Sequence, residues 1–280
     1  MTKSWKNVPK IINTLPTDKD TLIMYVDESG EGNNKILKKS FEAKKEKIPY
    51  SQRNDLYLLN GVVLSGFDSI ILKNRLDKLK LSIADNGIFN YEKKGERPIV
   101  LRNHEIVSKN PPFSNLKENQ YEQINRIIKN TNYIQIAAGL NYYIYTQFNK
   151  DSESSSSPLL MTLGLLLINY ADYLNSTNKK GIIIFEEETE KHDKLKYILK
   201  ILNYGNKTYN KEFFSKITAV YFRKKWTEEK KGEYQTTAGL ELADLTISPL
   251  RRMLHPEFLL IERKLYNYPN YINKGFNIIT

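Results

Sequence analysis

The chain has 280 residues with no cysteine and three histidines, and 43 Lys and Arg against 32 Asp and Glu give a net charge of +11. That composition excludes disulfides, thiolate metal sites and a cysteine nucleophile, and it leaves a histidine-rich zinc site short of ligands, so a bound metal would be held by oxygen, as Mg2+ or Mn2+ prefers. At 40% hydrophobic residues the chain can form a core, and its basic balance points to nucleic acid or another anionic surface.

Residues 1–20 are polar with two prolines and read as an extended lead-in. An apolar run at 22–27 reads as a buried strand, ended by Ser29-Gly30. Residues 35–55 are dominated by lysine and read as a basic insertion, either a solvated loop or a basic flap. Residues 56–65 form the second expected strand, and Asp68 is the expected N-cap of a helix reaching residue 84, with Ile71, Leu72, Leu76 and Leu79 along one face.

A short strand is expected at 98–101, leading into His104-Glu105-Ile106-Val107. A turn at Pro111-Pro112-Phe113 precedes a helix over 116–129, and a third long strand is expected over 133–147. The serine-rich stretch at 151–157 is the best linker candidate, although it is short. An apolar helix follows over 158–174, then a strand at 181–185 that runs into Glu186-Glu187-Glu188. A helix over 193–202 and a strand over 217–222, closed by Arg223-Lys224-Lys225, lead to a last helix over 237–254. The remainder, 255–280, reads as a tail rich in Tyr and Asn.

Strands and helices alternate after an initial two-strand unit, so the expected fold is α/β, a mixed sheet flanked by helices in one domain over 21–254. The longest apolar run, 159–168, is too short to cross a bilayer, and no secretory signal opens the chain. A cytoplasmic protein with no membrane partner is the expectation.

The chemistry lies in carboxylates set among apolar residues. Asp27 closes an apolar strand, Glu186 follows another, and Glu241 and Asp244 share one face of a helix otherwise built from Leu and Ala. An acid in such a place is costly unless a cation faces it. Phosphodiester cleavage by two metals needs carboxylates that bridge cations roughly 3.5–4 Å apart, and Asp27, Glu105, Glu186 and Asp244, with Glu241 optional, would supply them. Each acid also has a plain structural reading: a turn, a solvated charge run, or one buried acid paired with Arg or Lys. A lysine of the Arg223-Lys224-Lys225 run, with Lys224 the candidate, would contact the scissile phosphate. Arg251 and Arg252 either join it or offset the helix dipole. Tyr142, Tyr143 and Tyr145 serve in base stacking or in packing.

These segments, Asp27-Glu28-Ser29-Gly30, Gly61-Val62-Val63, Glu105-Ile106 before Pro112-Phe113, Glu186 with Asp193, and Gly239-Leu240-Glu241-Leu242-Ala243-Asp244-Leu245, occur in one order. That order resembles the domain-of-unknown-function 3800 family over roughly residues 20–254. The resemblance implies a ribonuclease H-like fold and a Mg2+- or Mn2+-dependent nuclease acting on RNA or DNA, associated with mobile elements and phage defence. It implies Asp27, Glu105, Glu186 and Asp244 as metal ligands. Members often carry Gln where this chain has Glu241, and many have an Arg shortly after the third acid, where this chain has Glu or Thr. The rival expectation is a catalytically degenerate module on the same scaffold that binds nucleic acid or a regulatory protein.

Overall fold

In chain order the elements are β1 (Thr21–Ser29), β2 (Leu56–Ser65), α1 (Gly66–Ile83), the antiparallel pair β3 (Ile88–Tyr91) and β4 (Gly95–Pro98), α2 (Asn103–Val107), α3 (Glu118–Asn130), β5 (Ile134–Asn141), α4 (Pro158–Thr177), β6 (Lys180–Glu186), α5 (Lys191–Tyr204), β7 (Ile217–Arg223), the hairpin β8 (Trp226–Lys230) and β9 (Glu233–Thr236), α6 (Ala238–Arg251) and β10 (Phe276–Ile279). This computed structural model describes residues 15–30, 56–92, 95–141, 157–187, 191–251, 256–272 and 275–279. The whole basic insertion at 35–55, most of the serine-rich stretch at 151–157, Tyr142, Tyr143, Tyr145 and Arg252 lie outside the described residues.

Six strands form one sheet in the order β10-β5-β2-β1-β6-β7. β1, β2 and β5 run antiparallel in turn, while β6 and β7 lie parallel to β1. The central strand β1 is buried on both faces, which is why its sequence reads as a continuous apolar run. Its side chains alternate between two cores. Ile23 and Tyr25 pack with α1, α3 and α6, whereas Leu22, Met24 and Val26 pack with α4 and α5. The result is a three-layer α/β/α arrangement, as the alternation of elements predicts. Among the described residues no helix is long and apolar enough to cross a membrane, and the apolar α4 spends its length against the sheet.

Several boundaries shift for identifiable reasons. The N-cap of α1 is Ser65, not Asp68: Ser65 Oγ accepts from the Asp68 N–H at 3.0 Å and donates to Asp68 Oδ2 at 2.6 Å, so Asp68 sits inside the first turn. Residues 99–101 are not a strand; β4 ends at Pro98 and pairs with β3. The chain beyond residue 255 is no separate tail. Phe258, Ile261, Leu265 and Phe276 are buried in the α6-side core, and β10 adds an edge strand beside β5. Local periodicity carries no sign of this, because the tail's short apolar stretches gain their partners only from the folded sheet.

One glycine sets the distance between sheet and helix. A Cβ at Gly239, the second residue of α6, would stand 2.2 Å from Tyr25 Cδ2 and 2.3 Å from Tyr25 Cγ. The ring belongs to a fully buried tyrosine of β1 and cannot swing away. Gly239→Ala is therefore expected to cost about 1–3 kcal/mol through overpacking, read as a lower midpoint in denaturant at unchanged slope. An unchanged midpoint would show that α6 can slide.

Candidate active site

Three carboxylates reach one point from three elements. Asp27 follows Ile23 and Tyr25 on the α6 face of β1, and Glu186 follows Ile182 and Ile184 on the same face of β6. Both lie where parallel strands end, the edge at which such sheets usually present functional groups. α6, held close by Gly239, brings Asp244 against them.

At the meeting point stands the ammonium of Lys225, 3.3 Å from Asp27 Oδ1, 3.0 Å from Glu186 Oε2 and 2.6 Å from Asp244 Oδ2. Lys225 is 5% exposed. Its backbone is fixed by Thr237, whose N–H donates to the Lys225 carbonyl at 2.8 Å and whose Oγ1 donates to the Lys224 carbonyl at 2.9 Å. The second Asp244 oxygen, Oδ1, accepts from the Asn103 N–H at 2.9 Å.

Electrostatics follow from burial. Desolvation pushes the Asp27 carboxyl up to about 8; Lys225 opposes the shift, and Asp244 and Glu186 reinforce it. Burial works against the Lys225 charge, yet Asp27, Asp244 and Glu186 together raise its pKa above the ordinary lysine value. Three carboxylates around one ammonium thus retain a proton on the most enclosed acid.

Stability should respond to that proton. The Asp27 carboxyl titrates near 8 in the folded protein and at 3.8 ordinarily, so across that interval the folded protein holds a proton that the unfolded chain has lost. The contribution is complete below the ordinary value and declines as pH rises towards 8. In EDTA the thermal midpoint should fall between mildly acidic and mildly alkaline pH, and Asp27→Asn should flatten the fall; parallel profiles would refute the assignment.

The other candidates lie elsewhere. Glu241 is fully buried but belongs to a different pair: Lys80 Nζ lies 2.7 Å from its Oε2, and the Leu101 N–H donates to its Oε1 at 2.8 Å. It ties α1 and the 99–101 segment to α6, which is the plain structural reading of that acid. Glu105 makes no ion pair with Lys225; its carboxylate lies 3.9 Å from His104 Nε2 and acts on the Tyr91 hydroxyl. Helix α2 is only five residues long, and its first N–H engages Asp244 while the side chain of Glu105 stays outside the focus. Lys224 is exposed on a cavity wall, and the lysine among the acids is Lys225. Arg251 Nη1 donates to Ser29 Oγ at the end of β1.

A polar clasp that the sequence does not advertise backs the site. Asn60, opposite Asp27 in the ladder, donates to the Ala243 carbonyl and to Thr246 Oγ1, each at 2.8 Å, and accepts from Gln135 Nε2 at 2.8 Å. Asn60, Gln135 and Thr246 are all 0% exposed, so this network locks α6 to β2 and β5. The cue was available: a polar residue in the middle of the apolar β2 run. Beside Lys225 opens a cavity of about 500 Å³ lined by Arg102, Glu186, Glu187, Lys224, Lys225 and Trp226, among others.

The donor set suits a hard dication, since Asp27, Glu186 and Asp244 offer carboxylate oxygens alone. The spacing suits an ammonium, because oxygens held 2.6–3.3 Å from Nζ stand farther from the focus than the roughly 2.0–2.1 Å of Mg2+ coordination. Accordingly, among the described residues no group of three or more acids and histidines has the arrangement of a metal site. No family model matches the chain, and no curated protein or solved structure matches it either.

Proposed function

We propose that this chain is a divalent-cation-dependent nuclease that hydrolyses phosphodiester bonds of RNA or DNA on a ribonuclease H-like sheet. The carrying observation is the meeting of Asp27, Glu186 and Asp244, drawn from two parallel strands and one helix, at a single point beside an open cavity. The antiparallel run of β1, β2 and β5, followed by β6 and β7 parallel to β1, supports the fold assignment.

Asp27, Glu186 and Asp244 would hold Mg2+ or Mn2+, which when bound supplies an acidified water and a Lewis acid for the phosphoryl oxygen. Asp27 must give up its carboxyl proton for this, so the resting site stores one proton. Lys225 leaves the focus for the adjoining cavity, where its ammonium is suited to a substrate phosphate. Arg102 and Lys224 stand along the same wall, together with Glu187 and Glu228. The chain's net charge of +11 favours encounter with a polyanion. The resemblance adds a setting, phage defence or a mobile element, with a regulatory protein as a further partner.

The test is incubation of the purified chain with labelled RNA, DNA and hybrid in Mg2+, Mn2+ or EDTA. Cation-stimulated cleavage supports the proposal, and its absence on every substrate overturns it. A second reading follows from the position of Lys225: a module whose cation position is permanently filled by lysine binds nucleic acid without cutting it. That module predicts salt-sensitive binding indifferent to Mg2+.

A further inference from the structure

We infer that the cavity beside Lys225 is a subsite for one unpaired nucleotide of a single-stranded nucleic acid, its base against Trp226 and its phosphate facing Arg102 and Lys224. The assignment deepens the nuclease proposal and rests on it for the bond that is cut. The base platform is built into the chain next to the acids. Trp226 follows Lys225 directly, opens β8 and pairs with Thr236 of β9, so the ladder fixes its position.

Its indole is half-buried, lines the cavity, and is supported from two sides. The Arg97 guanidinium lies over the ring at 5.5 Å from the centroid, and Tyr234 meets it edge-on at 5.9 Å. An aromatic ring pre-positioned in this way is what sequence-tolerant base stacking needs, and it can be reached only by a base released from pairing.

The lining is mixed in charge, with Arg102, Lys224 and Lys225 standing against Glu186, Glu187 and Glu228. Arg102 immediately precedes α2, whose first N–H is anchored on Asp244, and Lys224 is exposed next to Lys225. Glu187 and Glu228 also line the cavity, and Glu228 Oε1 is engaged by the Gly232 N–H at 2.9 Å within its own hairpin. Glu186 and Lys225 belong both to the cavity and to the acidic focus, so a nucleotide seated here has its phosphate beside the proposed cleavage point. A cavity of about 500 Å³ falls within the usual range of small-ligand sites and holds one nucleotide unit, not a double helix.

The test measures fluorescence anisotropy of a short labelled single strand binding to the full chain in EDTA, where nothing is cut. Trp226→Leu should weaken binding roughly tenfold, the scale of one lost base stack. Lys224→Glu, an exposed change that leaves the fold alone, should weaken it several-fold and flatten its salt dependence. Equal affinity for duplex overturns the inference, as does equal affinity for a free nucleoside monophosphate, or wild-type binding by both variants. If both variants bind normally while the wild type cleaves in Mg2+, the subsite fails and the nuclease proposal stands. If both weaken as expected while no cation supports cleavage, the subsite stands and the nuclease proposal fails.

Discussion

Asp27→Asn is expected to abolish cation-dependent cleavage, by about 10²–10³-fold or more, while the protein stays folded. The substitution removes one of three anionic oxygen donors but keeps the size and hydrogen-bonding edge of the side chain. In the resting protein Asp27 is already pushed up to about 8 by burial, so near neutral pH much of it is a neutral acid. A neutral amide in that place sets Lys225 against two carboxylates instead of three and adds no buried charge. The thermal midpoint should therefore be unchanged or higher, most clearly at alkaline pH. Cleavage of labelled RNA, DNA and hybrid, with a melting curve on the same preparation, separates loss of chemistry from loss of fold. Wild-type cleavage by Asp27→Asn would remove Asp27 from the active site, whatever the fate of the other acids.

Lys225→Met carries the largest expected effect on stability. Methionine keeps much of the length and apolar stem of lysine but leaves Asp27, Glu186 and Asp244 facing one another with no cation between them. Breaking a buried ion network from one side typically costs about 3–5 kcal/mol, and in a chain of this size that lowers the melting temperature by roughly 10 °C. The same change clears the focus, so Mn2+ or Mg2+ should restore much of the loss, and the variant should bind the cation more tightly than the wild type. Melting curves across a Mn2+ titration read both effects, because a ligand that binds only the folded state raises the midpoint as its concentration passes Kd. A variant as stable as wild type in EDTA would show that the ammonium is not the counter-charge of the acids. A destabilised variant that ignores Mn2+ would favour the lysine-filled binding module.

Much of the sheet is legible in the sequence, since continuous apolar runs such as Leu56–Ser65 mark central strands wherever they occur. Asp27, Glu186 and Asp244 are legible for the same reason: each is a charge where the surrounding pattern calls for none. Lys225 is harder to find, because Arg223-Lys224-Lys225 offers three similar cations and only the turn held by Thr237 decides which one points inward. Glu241 misleads because it shares a helix face with Asp244, whereas its partner Lys80 lies 161 residues away on α1. The pairs β3–β4 and β8–β9 escape notice because their strands are only four or five residues long and, β3 apart, carry no apolar run.

The meeting of β1 with β6 and α6 also fixes when the site can exist. Asp27 lies near the start of the chain, and Lys225 is 198 residues further on. A nascent polypeptide still lacking α6 has its first acid made but neither Asp244 nor a closed core around it. Because contacts of such long sequence separation are slow to form, the activity proposed for this chain would be absent from the growing polypeptide until α6 has been made and has packed on the sheet.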